Sequence, residues 1–285
     1  MDIKRRNIQY SKPCPVYLLA SFGCVTNILS EVLCYPLEYI KIKLQMNGTQ
    51  GCPKYKHLKS IIAETTSTKQ YYRAFNAQML KIIPQSTTRI FAYEFIRTAF
   101  TGDIVETTYR RKLSCASSAY AIALLTGNMG DIMKIRLINN KELTLIQAIQ
   151  QSYNKTGFAG FFRGYWLNLI TITVIQAVEI QLFEKFKRFF IKNFTQGNNS
   201  IGIDVIASLI TGVSSGILTA PLDGFKCRYM NQLIDQQTYW QTFINVIKDE
   251  GLLALYKGTL PYCIKISIGS TLTFVLYEQF KRQII

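Results

Sequence analysis

The ten residues Pro36–Gln45, with the sequence PLEYIKIKLQ, decide the fold of this chain. An acid, Glu38, follows the proline by two residues, Lys41 follows the acid by three, and a second base comes two residues later. The preceding segment, residues 13–35, is apolar, and its only charged residue is Glu31. One copy of this pattern at the end of an apolar segment carries little information, so its recurrence matters.

The pattern recurs twice more along the chain at a nearly constant interval. PLDGFKCR begins at Pro221 and repeats the proline, the acid and both bases at identical offsets. MGDIMKIR begins at Met129 and keeps the acid and the bases, but it has methionine in the place of proline. The three copies begin 93 and 92 residues apart. Such self-similarity at a fixed period indicates a threefold internal repeat.

Two further markers follow each copy in the same order. The first is an aromatic residue, a base and a small residue, and the second is an aromatic residue, glutamate, two spacers and a base. Because all three patterns share one period, they predict the same local structure in each third of the chain. The first marker comprises Tyr72-Arg73-Ala74, Phe162-Arg163-Gly164 and Tyr256-Lys257-Gly258; the second comprises Tyr93, Glu94 and Arg97, Phe183, Glu184 and Lys187, and Tyr277, Glu278 and Lys281.

The composition favours a membrane protein with a polar interior over a soluble all-α protein. Of the 285 residues, 48% are apolar, and Leu113–Gly130 and Val205–Leu222 are uncharged windows of 18 residues. Such windows can cross roughly 30 Å of hydrocarbon as helices. The net charge of +16 comes from bases between the apolar segments. This distribution indicates basic loops beside anionic lipid rather than a nucleic-acid-binding surface.

The chain carries no recognisable catalytic or metal-binding pattern. Its seven cysteines are scattered without a CxxC pair, and its one histidine, His57, has no ligand partner at metal spacing. We also find no nucleophile–base set and no phosphate-binding loop. The sequence therefore predicts a protein that is not an enzyme and needs no metal or cofactor.

The recurring acid–base pattern has a physical interpretation of its own. Each repeat holds two apolar segments, so we expect six spanning helices, because lipid does not tolerate unpaired backbone groups. An acid and a lysine three residues apart share one face of a helix. Three such helices around a threefold axis can pair each acid with the lysine of a neighbour. The resulting ring predicts a gate, although such pairs can also simply hold helices together.

The three copies of P-x-[DE]-x-x-[KR]-x-[KR] closely resemble the signature of the mitochondrial carrier family. The resemblance spans nearly the whole chain and implies an all-α membrane protein with pseudo-threefold symmetry. Each of its three tandem repeats would contain two transmembrane helices and a short matrix helix. The repeats would cover residues 1–101, 102–195 and 196–285, and the second has a degenerate signature.

The resemblance implies two gates made of ion pairs. At the matrix gate Glu38 would pair with Lys134, Asp131 with Lys226 and Asp223 with Lys41, and Gln45 would brace one pair. At the cytoplasmic gate Glu94 would pair with Lys187, Glu184 with Lys281 and Glu278 with Arg97. Alternating access requires two gates that do not close together.

The aromatic–base–Gly markers resemble the cardiolipin sites of the family, in which backbone N–H groups at helix N-termini bind phosphate. The residues concerned are Arg73, Arg163, Gly164, Lys257 and Gly258. Ala74 stands where the first repeat should have glycine. A plain loop-to-helix turn with a basic side chain is an equal interpretation there.

Family members bind solute midway along the even-numbered spans, which here gives Lys81, Thr171 with Ile172, and Lys265. Two lysines facing one cavity favour an anion such as a phosphate, carboxylate or nucleotide. Glu31, Arg89 and Glu179 add charge at a similar depth. Arg89 and Glu179 occupy equivalent positions, so they can pair with each other instead of with solute.

These features predict a solute carrier of the mitochondrial inner membrane with both termini toward the intermembrane space, although peroxisomal carriers share the fold. The expected partners are membrane lipid, including cardiolipin, and a small anion, but not nucleic acid. The second repeat lacks proline at Met129 and Val174 and a base at Thr171. These losses are compatible with an unusual substrate, and they also motivate an alternative, a structural subunit of a larger inner-membrane assembly such as a respiratory complex. The two complete sets of gate residues argue against that alternative.

Overall fold

A computed structural model describes residues 16–47, 58–65, 67–101, 109–140, 142–194, 201–231 and 238–284. All regular structure in these residues is helical. In chain order the helices are α1 (Val16–Gln45), α2 (Leu58–Glu64), α3 (Thr68–Tyr71), α4 (Phe75–Thr101), α5 (Tyr109–Asn139), α6 (Leu145–Thr156), α7 (Tyr165–Phe194), α8 (Ile201–Asn231), α9 (Tyr239–Glu250) and α10 (Thr259–Ile284), with 3₁₀ turns at Phe158–Phe162 and Leu252–Tyr256.

The six long helices form a closed ring. Helix α1 packs on α4, α4 on α5, α5 on α7, α7 on α8, α8 on α10, and α10 on α1. Helices α1, α5 and α8 also contact one another in pairs, so they converge on the axis of the ring. Each long helix has 26 to 31 residues. At 1.5 Å per residue they are about 40 Å long or more, which exceeds the thickness of a bilayer core.

The distribution of side chains is inverted relative to a water-soluble protein. Large apolar residues face outward, with Leu33 63% exposed and Phe95 73% exposed, whereas Glu38 and Arg228 inside the ring are only 3% and 2% exposed. Two described segments, Phe158–Asn193 and Gly202–Asn231, are by length and composition able to cross a membrane. Apolar side chains outside and charged side chains inside are the distribution expected of a helix ring embedded in a membrane.

The small residue of the aromatic–base–small marker has a left-handed backbone in every repeat. Gly164 has φ +75° and Gly258 has φ +85°, and Ala74 has φ +66° in the equivalent place. A Cβ at Gly258 would lie 3.1 Å from the carbonyl oxygen of Lys41. The turn thus needs this conformation even where the sequence does not supply glycine.

The third repeat ties its short helix to the long ones with ion pairs. Arg228 of α8 donates from both terminal nitrogens to Glu250, the last residue of α9, at 3.0 Å. Lys257 reaches the same carboxylate at 2.6 Å. In the second repeat Arg136 is equivalent to Arg228, but the last residue of α6 is Thr156.

Arg136 lacks the carboxylate that its counterpart binds. It is 2% exposed and donates to the hydroxyl of Ser152, while its Nε and Nη2 atoms have no partner. The second repeat therefore departs from the third also in lacking a carboxylate partner for its buried arginine.

Candidate solute pathway and its charged gate

Six charged side chains form a ring where α1, α5 and α8 converge, and we call them the charge ring. Lys134 Nζ lies 2.8 Å from Glu38 Oε1, Lys41 Nζ lies 2.8 Å from Asp223 Oδ2, and Lys226 Nζ lies 3.6 Å from Asp131 Oδ2. The three contacts expected for the matrix gate are thus all present as ion pairs. The members of the charge ring are Glu38, Lys41, Asp131, Lys134, Asp223 and Lys226.

The charge ring leaves little open space between α1, α5 and α8 at its end of the molecule. Pairs within helices supplement those between helices, at 3.4 Å for Lys41 with Glu38 and 3.3 Å for Lys134 with Asp131. The ring also encloses a cavity of only about 20 Å³. Such a space has room for roughly one water molecule, so a solute cannot pass.

Lys265, one of the two lysines predicted to bind solute, lies on carboxylates of α1. Its Nζ atom is 3.0 Å from Glu31 Oε1 and 3.1 Å from Glu38 Oε2. Glu31 also accepts a hydrogen bond from the amide of Gln78 at 3.1 Å. Lys265 therefore connects α10 directly to the charge ring.

Lys81, the other predicted solute lysine, makes the equivalent contact in the first repeat. Its Nζ atom lies 2.8 Å from Asp131 Oδ1. Asp131 Oδ2 accepts a further hydrogen bond from Asn168 at 2.9 Å, and Asn168 accepts one from Lys226 at 2.9 Å. Asp131 is thus surrounded by three lysines and an amide.

Asp223, the third carboxylate of the charge ring, has no contact with a lysine at the position equivalent to Lys81 and Lys265. Thr171, which occupies the equivalent place on α7, donates its hydroxyl to its own helix, at the Leu167 carbonyl. Asp223 instead accepts a hydrogen bond from Gln45 at 2.7 Å, which is the brace predicted from the sequence. Ile172, predicted beside Thr171 as a solute contact, is partly buried on α7.

The sequence-based prediction missed three residues that contact the charge ring or the neighbouring Glu31. Gln78, Asn168 and Tyr262 each stand three residues before the predicted solute positions. The ring of Tyr262 lies 4.6 Å below the ammonium group of Lys41. Applying the threefold repeat to this position would have indicated all three, although their different chemistry conceals the equivalence.

The charges at the base of the pathway do not balance. Five lysines contact four carboxylates in this network. The surplus positive charge lies in a low-dielectric interior, where it attracts an anion more strongly than it would in water. The lysines are Lys41, Lys81, Lys134, Lys226 and Lys265, and the carboxylates are Glu31, Glu38, Asp131 and Asp223.

The opposite end of the helix ring is organised differently. Glu94 contacts Arg97 of its own helix at 3.6 Å, and Glu184 contacts Arg188 of its own helix at 3.0 Å. Lys187, predicted to pair with Glu94, instead binds Asp204 at 2.6 Å. The predicted Glu94–Lys187 pair is therefore absent in this conformation.

The remaining partners of that second gate, the side chains of Glu278 and Lys281, lie outside the described residues. Among the described side chains of the second marker, Glu94, Arg97, Glu184 and Lys187 make no pair with one another between helices. The conformation is thus closed at the charge ring, and the described part of the second gate is unpaired across the pathway.

Arg89 and Glu179 do not pair with each other, contrary to one of the two expectations for them. Glu179 accepts a hydrogen bond from the Ser215 hydroxyl at 3.4 Å. Neither side chain makes an ion pair within the described residues. A cavity of about 510 Å³ begins at Glu179, and it is lined by Glu179, Phe183, Glu184, Lys187, Ser208, Thr211, Gly212 and Ser270.

The bases of the aromatic–base–small marker bind protein groups. Arg73 donates to the carbonyls of Leu137 and Asn140 at the end of α5, at 3.1 and 3.2 Å, and Lys257 donates to the carbonyl of Asn47 after α1, at 3.1 Å. A cation there complements the negative C-terminal end of a helix.

Arg163, the base of the second repeat, lies 4.7 Å from the Tyr229 ring. A lipid role for these bases and for the neighbouring glycines remains a prediction. No group of three or more metal-ligating side chains occurs within the described residues.

The repeat structure agrees with a known family. The family model described as mitochondrial carrier protein matches residues 12–103, 106–194 and 197–285. The chain belongs to the mitochondrial carrier family. This is a family of membrane transporters, and the match covers all three repeats, including the second with its degenerate signature.

Relatives of known name are similar along most of the chain. A mitochondrial 2-oxoglutarate/malate carrier protein of Caenorhabditis elegans is 24% identical over 91% of this chain and 90% of its own length. A mitochondrial dicarboxylate transporter of Saccharomyces cerevisiae is 23% identical over 92% of this chain and 91% of its own. A mitochondrial adenyl nucleotide antiporter of Xenopus laevis is 22% identical over 94% of this chain and 58% of its own.

Proposed function

We propose that this carrier exchanges a small anionic metabolite, of the carboxylate, phosphate or nucleotide type, across the mitochondrial inner membrane by alternating access. The observation that carries the proposal is the surplus lysine charge at the base of a pathway closed at one end. The surplus positive charge next to the closed charge ring attracts an anion that enters from the open end of the pathway, and it holds the anion beside the charge ring.

The same lysines couple solute binding to the gate in this proposal. An anion that binds Lys81 and Lys265 competes with Asp131 and Glu38, which these lysines contact at 2.8 and 3.1 Å. Removing one partner from a buried ion pair is costly, so the closed charge ring is destabilised once the lysines turn to solute. A ligand shifts a conformational equilibrium by its differential affinity for the two states, and the lysines supply that difference.

The proposed orientation follows from the direction of the helices. Helices α1, α5 and α8 end at the charge ring, so the start of α1 and the end of α10 lie at the opposite end of the molecule. With the charge ring toward the matrix, the start of α1 and the end of α10 both face the intermembrane space. Cardiolipin remains the proposed lipid of the basic turns at Arg73, Arg163 and Lys257.

The test is exchange by the purified chain in liposomes loaded with phosphate, malate or adenine nucleotide. We expect Lys81→Gln and Lys265→Gln each to reduce exchange to background, because each removes an anion ligand and a gate contact. The matched control is Lys248→Gln, an exposed lysine on α9. Wild-type exchange by either variant would reject that lysine as a solute contact.

A native gel of the membrane in mild detergent addresses the alternative structural role. A free carrier migrates at the size of the single chain with its detergent, whereas an assembly subunit comigrates with a respiratory complex. The 2-oxoglutarate/malate carrier and the dicarboxylate transporter, which match over 90% and 91% of their own length, are not named as subunits of an assembly.

A further inference from the structure

The cavity of about 510 Å³ beyond the charge ring has features that the anion exchange described above does not use. It lies between α7, α8 and α10, and one face of α8 contributes hydroxyl groups to it. Ser208 and Thr211 line the cavity. Ser215 follows on the same side of the helix but is fully buried and does not line the cavity.

One of these hydroxyls is buried without a partner. Thr211 is 4% exposed, and its Oγ1 atom makes no hydrogen bond. Its neighbours are satisfied, since Ser208 bonds Thr271 at 2.9 Å and Ser215 bonds Glu179 at 3.4 Å. Buried polar groups are almost always paired, so an unpaired hydroxyl on a cavity wall indicates that a ligand atom belongs there.

Glu179 is an acidic side chain that no cation contacts within the described residues. Its one hydrogen bond is the long contact with Ser215. The other charged residues on the cavity wall already have partners, because Lys187 binds Asp204 at 2.6 Å and Glu184 binds Arg188 at 3.0 Å. A carboxylate away from bulk water is costly unless a cation or several donors approach it.

We propose that this cavity is an ammonium-binding subsite, so that the exchanged anion carries an amino group as well as a carboxylate. The inference rests on the proposed function and narrows its substrate to amino acids and related compounds. An ammonium group has three donors and no acceptor, which suits Glu179 together with the free oxygen of Thr211. Glu179 lies eight residues beyond Thr171, about 12 Å along α7 from the level of Lys81 and Lys265. Neither lysine lines the cavity in this conformation, because Lys81 is held on Asp131 and Lys265 on Glu31 and Glu38. In the proposal both side chains turn from these carboxylates toward the cavity and hold the carboxylate of the solute.

The experiment compares compounds that differ only in the amino group. The purified chain in detergent is heated with aspartate or succinate, and with glutamate or glutarate, and the unfolding temperature is followed across concentrations. The same four compounds compete for phosphate exchange in liposomes. We expect each amino compound to act at about tenfold lower concentration than its partner, the value of one charge-assisted hydrogen bond.

Two variants link this preference to the cavity. Glu179→Gln keeps the shape of the side chain and is expected to abolish the preference, and Thr211→Val is expected to reduce it. Glu142→Gln, at an exposed position between α5 and α6, is the matched control and should retain it. The unfolding temperature without ligand verifies that each variant is folded.

Each outcome has a defined meaning. If succinate and glutarate act as well as the amino compounds, or if Glu179→Gln keeps the preference, the inference is wrong while anion exchange stands. If sodium or potassium chloride stabilises the wild type as strongly as aspartate, and Glu179→Gln removes that effect, the cavity binds a metal ion instead. If none of the four compounds and no phosphate stabilises or exchanges, both proposals fail.

Discussion

A single side chain, the methyl group of Ala74, stores strain in the first repeat. Its backbone has φ +66°, in the region that its two counterparts, Gly164 and Gly258, adopt without a Cβ. A residue with a side chain loses roughly 1–2 kcal/mol in that region, partly offset by the greater freedom of an unfolded glycine.

We therefore expect Ala74→Gly to stabilise the protein by about 1 kcal/mol, or about 2 °C in unfolding temperature. Thermal unfolding in detergent measures the change. Ala92→Gly, in the interior of α4, is the control and should destabilise by a similar amount, since glycine is unfavourable within a helix. A lower unfolding temperature for Ala74→Gly would contradict the argument from backbone strain.

For individual residues, the sequence predicted which side chains lie near the pathway better than it predicted which groups those side chains contact. The predicted solute positions lie thirteen residues before the glutamates of the second marker, and for Glu94 and Glu278 they are Lys81 and Lys265. Both lysines contact the charge ring. Their partners were not predictable, because a lysine side chain can reach several carboxylates and the choice depends on the conformation. Asn168 was missed because nothing in its chemistry marks it as equivalent to Gln78 or Tyr262.

Among the elements, α6 and α9 differ by one missing carboxylate. Glu250 ends α9 and holds Arg228, whereas Thr156 ends α6 and leaves Arg136 with two unpartnered nitrogens. Hydrogen bonds to charged groups contribute about 1.5–3 kcal/mol when the donor is otherwise unsatisfied.

We expect Thr156→Glu to supply the missing partner and to stabilise the second repeat by about 1–3 kcal/mol. Chemical denaturation in detergent measures the gain, and Asn154→Glu, which adds the same charge at an exposed position on α6, should show none. The converse change, Glu250→Gln, should destabilise by about 3–5 kcal/mol, because it leaves Arg228 buried without its carboxylate. Equal stability of Thr156→Glu and the wild type would mean that Arg136 already has a partner, such as water.

The number and type of long helices followed from the sequence, because apolar windows of spanning length allow few other structures in lipid. The predicted repeat boundaries, at residues 101 and 195, remain predictions, although the family model divides the chain nearby, at residues 103–106 and 194–197. The packing between helices was less accessible. A Cβ on Gly130 would lie 2.7 Å from the backbone nitrogen of Lys81, so the close contact of α5 with α4 depends on this glycine, and only coordinates reveal such a distance.

For the whole molecule, the two ends of the helix ring are in different states. The charge ring is paired between helices, whereas Glu94 and Lys187 at the other end bind other residues. In the proposed alternating mechanism, we expect these two residues to meet when the charge ring opens.

Reversing the charges of this pair tests that requirement. We expect Glu94→Lys and Lys187→Glu each to lower exchange in liposomes at least tenfold, since each puts like charges together in the other state, at a cost of about 1.4 kcal/mol or more. The double variant should be more active than either single variant, because the attraction between these two positions is restored. Recovery should stay incomplete, because Lys187→Glu still places a like charge against Asp204, which Lys187 contacts at 2.6 Å in this conformation. If the double variant is no more active than either single variant, these residues do not meet during transport.

The sequence predicted the overall architecture because the three repeats had to obey one symmetry. It did not predict the conformational state, since the residues of both gates are present in the same chain and pattern alone does not say which gate is paired. The difference lies in a balance of interactions that only the assembled structure displays.

The surplus lysine at the base of the pathway has an electrical consequence. The network of five lysines and four carboxylates has one surplus positive charge, and the opposite charges of Arg89 and Glu179, counted together, do not change that sum. The site therefore becomes neutral when a monovalent anion binds, and it carries one net negative charge when a divalent anion binds. Each unit of net charge that crosses the bilayer field exchanges about 2.3 kcal/mol per 100 mV of membrane potential. The conformational change of the carrier with bound solute would thus be independent of voltage for a monoanion and dependent on voltage for a dianion. The membrane potential would then favour one class of solute over the other.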